Sequence, residues 1–220
     1  ATARLDDRPA DDRPSDAQPH HARPRADAAP AADGAAGLFS GDGEVRAIAR
    51  ALDWAATPLG PVTRWPDALR AAIALCLDSA FPMCVYAGPE LVLVYNDAYI
   101  PALGASKHPR ALGSPARVVW AEVWDAIAPE LLGVLAGGPA IHREHGRYLI
   151  ARDHRTEETH WTYAFSPIRG DDGAVVGVHN VVTETTGHVR AERALRRLLE
   201  TAPAVMAVYS GPDHVIRYVN

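Results

Sequence analysis

Cysteine is scarce in this chain: its 220 residues include two, Cys76 and Cys84, both in apolar stretches. Two such thiols make no disulfide scaffold, and we read them as buried thiols of a reducing cytoplasm. An excess of one charge is missing too. The 22 Lys and Arg stand against 27 Asp and Glu, a formal net charge of −5, which gives no electrostatic footprint for nucleic acid or an anionic membrane. No apolar run approaches spanning length; Ala71–Leu77 is stopped by Asp78. No secretory signal is visible, and the absence of an initiator Met leads us to expect truncation at the start. The sequence also lacks a Gly-rich phosphate loop, a dinucleotide fingerprint and a Gly-x-Ser-x-Gly elbow. Its acid pairs, Glu157-Glu158 and Asp171-Asp172, sit in polar, turn-like contexts and read as solvated residues rather than a general acid and base. No phospho-accepting His segment or nucleotide-binding segment of a kinase is present.

Residues 1–36 consist almost wholly of Ala, Asp, Arg and Pro, with Leu5 the sole large aliphatic residue. Such a tail buries too little apolar surface to offset its ordering entropy and is expected to be disordered; its His20-His21 pair reads as surface histidines. Residues 37–80 are expected to form a helical cap. Ser40 and Asp42 are candidate caps of a first helix, in which Val45, Ile48, Ala49 and Leu52 share a face. A second helix is expected over Pro66–Leu77.

Phe81–Tyr99 carries a hairpin. Met83–Ala87 and Leu91–Tyr95 read as strands, Gly88-Pro89-Glu90 as the turn, and Asn96-Asp97 as a cap for a short helix from Ala98 to Leu103. The pattern returns at Met206–Asn220, with Met, Val, Tyr, Gly, Pro and the closing Asn in the same order and one residue inserted after the turn. We therefore expect an array of like modules, with the sequence ending early in the second, over 201–220. Between the copies, Gly104–Ser114 reads as loop and Val118–Leu135 as a helix that Pro129 should kink or restart. Residues 140–151, the least distinct strand, are followed by His160–Pro167 and, after Gly170–Gly173, by Ala174–Thr183. Trp161, Tyr163 and Phe165 share one strand face; Val176, Val178, Asn180 and Val182 share another.

The Gly88-Pro89 hairpin ending in Asn96-Asp97-Ala98-Tyr99, the three late strands and the exit Glu184-Thr185-Thr186-Gly187-His188-Val189 together resemble the PAS domain family. The exit is similar to the Asp-Ile-Thr signature that closes many PAS domains, with Glu for Asp and Thr for Ile. The resemblance implies an α+β fold: a PAS-like antiparallel five-stranded sheet over 81–186 with helices on one face, an N-terminal helical cap and a C-terminal signalling helix over 187–200. It is nearest to N-terminal modules of bacterial multidomain sensors, above all two-component histidine kinases, whose catalysis would lie beyond Asn220. Others of that kind end in phosphatases or cyclases.

The resemblance also implies a small pocket between sheet and helices, and a possible small-molecule ligand. Pocket candidates are Met83, Val85, Tyr99, Trp120, Trp124, Trp161, Tyr163, Phe165, Val176, Val178 and Asn180, with His179 as a second polar group; each can equally be core. Light-oxygen-voltage photosensors use a helix-borne cysteine against flavin, and this chain has no cysteine after Cys84. The long helix offers haem no axial His, though His142 and His145 follow it. The same pair is too small a ligand set for zinc, so no metal is assigned. The exit helix, Val189–Leu199, carries Ala191, Ala194, Leu195 and Leu198 on one stripe and its arginines off it, a pattern suited to pairing with a second copy. The implied function is a cytoplasmic sensory input module coupling ligand or partner binding to an output domain in the same polypeptide. The alternative is a ligand-free interaction or dimerisation module.

Overall fold

The structure is a computed structural model, and it describes residues 37–201, 207–210, 212 and 215–219. The expected disordered tail lies outside them. So do Met206 and Asn220 of the repeated hairpin.

Two helices open the described chain, α1 (Glu44–Ala51) and α2 (Asp67–Asp78). Val45 and Ala49 of α1 and Leu69, Ile73 and Cys76 of α2 are buried, as their spacing dictates. Between the helices, Trp54 and Trp65 meet edge-on at 5.0 Å, and Phe39 stacks on Trp54 at 5.4 Å, a compact aromatic seam within the cap. Neither Ser40 nor Asp42 caps α1. Its first amides are instead taken by Asp97, whose carboxylate accepts from Glu44 N at 3.2 Å and Val45 N at 2.7 Å.

Five strands follow: β1 (Met83–Ala87), β2 (Val92–Tyr95), β3 (Ile141–Arg152), β4 (Arg155–Arg169) and β5 (Val175–Glu184). They form one antiparallel sheet in the order β2-β1-β5-β4-β3. The chain is thus α+β with the five-stranded architecture expected of a PAS-like fold. The β1–β2 turn places Gly88 at φ 66°, and Leu91, expected in the strand, takes φ 51° and starts β2 one residue later. The strand expected over 140–151 is β3, Ile141–Arg152, with a bulge between Arg143 and Gly146. Glu157 and Glu158, read above as turn-like, lie inside β4 opposite Ile150 and Leu149, because the hairpin turns at Asp153-His154. Both carboxylates are there paired with arginines, Glu157 with Arg152 and Glu158 with Arg147 and Arg193.

Between β2 and β3 run the short helices α3 (Ile100–Leu103) and α4 (Ala116–Val119) and the longer α5 (Trp124–Leu135). The expected helix Val118–Leu135 is broken at residues 120–123, ahead of Pro129, which sits inside α5. The break lets Trp120 and Val123 turn into the core while α5 restarts along the sheet. Successive strand residues alternate faces. Tyr86, Asn180, Tyr163 and Phe165 therefore face α3–α5, while Ala87 and Gly177 face α2; a Cβ on Gly177 would lie 3.4 Å from Leu69.

The exit helix, α6, runs from Thr186 to Glu200. A separate two-stranded ladder, β6 (Ala207–Ser210) with β7 (Val215–Val219), follows. Its pairs Ala207↔Val219 and Ser210↔Val215 repeat Cys84↔Tyr95 and Ala87↔Val92, and the register slips by one between Val208 and Tyr209. The inserted residue of the repeat is therefore Arg217, absorbed in β7.

Candidate functional site

The inner sheet face and α3–α5 enclose a cavity of about 60 Å³. Strand β1 supplies Tyr86; the turn after β2, Tyr99; the break before α5, Trp120 and Val123; and α5, Ile127. Tyr148 and Ile150 of β3, Trp161, Tyr163 and Phe165 of β4, and Asn180 and Val182 of β5 close it. Six sequence candidates thus meet at one cavity: Tyr99, Trp120, Trp161, Tyr163, Phe165 and Asn180. Met83 and Val85 do not line it, because they sit on the other face of β1. Trp124 packs partly buried against the core outside it, and Val178, fully buried on the cavity side of β5, lies nearer the strand's start. Val176 faces a separate cleft with Leu69 and Leu135, and His179 points to the opposite side of β5 from Asn180. The sequence reading missed Tyr86, Ala102, Val123, Ile127, Tyr148, Ile150 and Val182. Alternation acts within one strand and could not relate Tyr86 of β1 to Asn180 of β5; the β1–β5 pairing that brings them to one face spans most of the domain.

The cavity wall is aromatic and the polar groups are few. Trp161 Nε1 donates to Thr159 Oγ1 at 2.8 Å. At the rim, the Tyr148 and Tyr163 hydroxyls lie 2.6 Å apart, and Tyr163 donates to Glu130 of α5 at 2.9 Å, where Arg143 of β3 also binds at 2.6 Å. Four buried side-chain polar atoms have no partner among the described residues, and two of them belong to cavity-lining residues: the Trp120 Nε1–H, a donor, and Asn180 Oδ1, an acceptor; the others are His160 Nδ1 and His179 Nε2. The other end of the Asn180 amide lies 3.6 Å from the Cys84 sulfur. Burial pushes the Cys84 thiol up to about 11, despite the polar groups of Tyr99, Asn180 and Tyr86 beside it. It likewise holds the Tyr86 and Tyr99 hydroxyls well above the usual phenol range, reinforced by Cys84. No charged side chain lines the cavity itself.

Its volume is well below the roughly 300–1,000 Å³ of ordinary ligand sites. A flavin or haem does not fit these walls. Cys84 stands on a strand rather than a helix, and His142 and His145 lie on β3 away from the cavity lining. Among the described residues, no group of three or more His, Cys, Asp or Glu side chains is placed to hold a metal ion. Cys76 and Cys84 are both free and buried.

A second polar assembly ties the sheet to the exit helix. Arg152, at the end of β3, binds Glu184 with both guanidinium nitrogens at 2.9 and 3.1 Å, reaches Glu157 at 3.2 Å and donates to the Pro101 carbonyl at 3.2 Å. Thr186 accepts from the His160 amide at 2.9 Å and donates to Glu184 at 2.7 Å. Burial alone would raise the Glu184 carboxyl, but Arg152 and Thr186 hold it below the usual carboxylate value. Glu184 and Thr186 are the first and third residues of the exit signature, so that signature is here a clamp on the first turn of α6. Beyond it, Leu195 and Leu198 are 58% and 68% exposed, leaving the apolar stripe of α6 uncovered.

No family model matches the chain, and no curated protein matches it. Among solved structures it is similar to an RNA-binding light-oxygen-voltage receptor, at 23% identity over 63% of this chain and 39% of that one, with a TM-score of 0.44. It is also similar to a sensory box sensor histidine kinase from Vibrio cholerae, at 17% identity over 53% of this chain and 91% of that one, TM-score 0.37. A PAS domain from Colwellia psychrerythraea matches at 15% identity over 55% of this chain and 99% of its own, TM-score 0.41. The chain spans little more than a third of the RNA-binding receptor. Among the described residues, no helix is long and apolar enough to cross a membrane.

Proposed function

We propose that this chain is a sensory PAS input module, with the cavity between sheet and α3–α5 as its receiving site and α6 as its output. The observation that carries this reading is the pair of unpartnered buried groups, Trp120 Nε1–H and Asn180 Oδ1, in a cavity otherwise walled by aromatic and aliphatic side chains. An unmet buried donor and acceptor each cost about 1–3 kcal/mol, so a small uncharged molecule offering one acceptor and one donor recovers energy a plain core would never have lost. Residue 81 to 186 is then the sensing domain, 37–80 its cap, 187–200 its signalling helix and 201–220 the start of a second module. The parent is a bacterial histidine kinase with catalysis outside this sequence, and two free thiols suit a cytoplasmic setting. Binding acts by favouring one of two arrangements of sheet and helix, and only to the extent of its differential affinity for them.

The cavity's small size supports a second reading, a ligand-free interaction module that dimerises through α6 in a phosphatase or cyclase regulator. Native mass spectrometry of the full chain purified from its host, with an absorbance spectrum, separates the two. A bound small molecule that is lost in Asn180→Leu supports the sensor. A clean apo mass that stays unchanged across the cellular metabolite pool refutes it.

A further inference from the structure

Three histidines converge where α6 lies on the sheet. His145, on β3, stacks its ring on His188 of α6 at 5.5 Å and 22°, and its Nδ1 lies 2.9 Å from Thr185 Oγ1 at the start of that helix. His160, on β4, is 4% exposed, and its Nε2 lies 3.3 Å from Arg193 Nη2 of α6. Arginine is only a donor, so His160 must accept with Nε2 and carry its single proton on Nδ1. That contact exists only while His160 is neutral.

The charges around these rings make protonation costly. His160 faces Arg193 from α6, Arg147 and His145 from β3, and Glu158 from its own strand. Glu158 is already shared, at 2.8 Å to Arg147 and 3.3 Å to Arg193, and Arg190 donates to its backbone carbonyl. Glu184 is bound by Arg152. The His145 ring faces His188 and the Thr185 hydroxyl, while its backbone amide donates to Thr162 Oγ1, and no acidic partner is seen on either ring among the described residues. The one carboxylate beside His160 is therefore already bound by two arginines, with a third on its backbone carbonyl, before any histidine is charged.

We propose that His160, His145 and His188 make the docking of α6 proton-sensitive, so that mild acid releases the helix from β3 and β4 and shifts the module's output. A proton on His160 sets a cation against Arg193. Protons on both stacked rings set like charges face to face. Burial and Arg193 both hold His160 below the usual imidazole value of 6.5. The sign follows: the docked state excludes a proton that the released helix accepts, so docking is fully stable above the ordinary value and weakens as pH falls through it. The inference does not depend on the cavity binding any ligand.

The test is hydrogen exchange of the full chain at pH 7.5 and 5.5, corrected for intrinsic rates. We expect the protection of residues 188–197 to fall at least tenfold at the lower pH while β4 and β5 stay protected. His160→Gln, which keeps an acceptor but cannot be charged, should hold its neutral protection and lose most of that fall; His188→Phe, which keeps a stacked ring, should reduce it. Unchanged protection of α6 in the wild type overturns the proposal, as does a full tenfold fall when His160→Gln and His188→Phe are combined. Should His160→Gln lose sheet protection at both pH values, His188→Phe decides alone: a smaller fall supports the switch and an undiminished one overturns it.

Discussion

Asp97 caps a helix that lies 52 residues before it, its carboxylate 2.7 Å from the amide of Val45. Helix α1 has Gly43 at its own N-cap position and no local side chain to accept its free amides. The residue directly after the closing Asn of the hairpin does so instead, fixing the cap to the sheet. Asp97→Ala removes both acceptors, and we expect a loss of about 1–2 kcal/mol in urea denaturation. The loss should appear as early exchange of α1 amides while β3–β5 hold. A uniform loss of protection across the domain contradicts this account.

Arg152 reaches Glu184, Glu157 and the backbone of α3 from one half-buried position. Replacing it by Met keeps most of the stem and removes every charge-assisted hydrogen bond. We expect destabilisation of about 1–3 kcal/mol. Glu184 is held below its ordinary value, so its contribution is present above about pH 4.5 and fades as pH falls through the lowered value. Acid unfolding measured by circular dichroism should therefore lose part of its steepness below pH 4.5 in Arg152→Met. An unaltered acid limb would mean the clamp adds nothing to stability.

Asn180→Leu exchanges an amide with an unmet acceptor for an apolar side chain of similar size. Removing a buried unsatisfied group should stabilise the apo domain by roughly 1 kcal/mol, while ending any binding at the cavity. Melting temperature and native mass spectrometry read the two effects separately. A destabilised variant would show that the amide is already satisfied in the resting protein.

Self-association through α6 can be tested on its uncovered stripe. If two copies pair there, Leu195→Glu with Leu198→Glu should weaken the dimer at least tenfold in sedimentation equilibrium. The domain's own melting should hardly move, because both side chains are exposed. A dimer indifferent to the double change is built on another surface.

The readability of the fold follows the range of the forces involved. The β1–β2 hairpin was legible because Gly88-Pro89 and alternating Val, Leu and Tyr act within a dozen residues. Trp161, Tyr163 and Phe165 were placed on one face by alternation alone, and they do share it. The cap of α1 was not legible, since Ser40 and Asp42 sat at plausible spacing and the true acceptor is set by tertiary docking. Trp120 and Trp124 look equivalent in a helical pattern, yet the break at residues 120–123 sends only Trp120 into the cavity. Glu157-Glu158 reads as polar loop until Arg147, Arg152 and Arg193 are brought beside it by strand register and by α6. Composition could find the aromatic and apolar inventory of the site, but not which face of β1 looks at it.

Lys107 is the only lysine in the sequence. It is paired with Glu122, and its ammonium sits 4.3 Å above the Trp120 ring, with burial lowering its affinity for a proton. Amine-directed acylation of side chains therefore has one possible address, on the back of a cavity-wall residue. Its rate becomes a chemical reporter of whether Trp120 has moved, with no label to engineer.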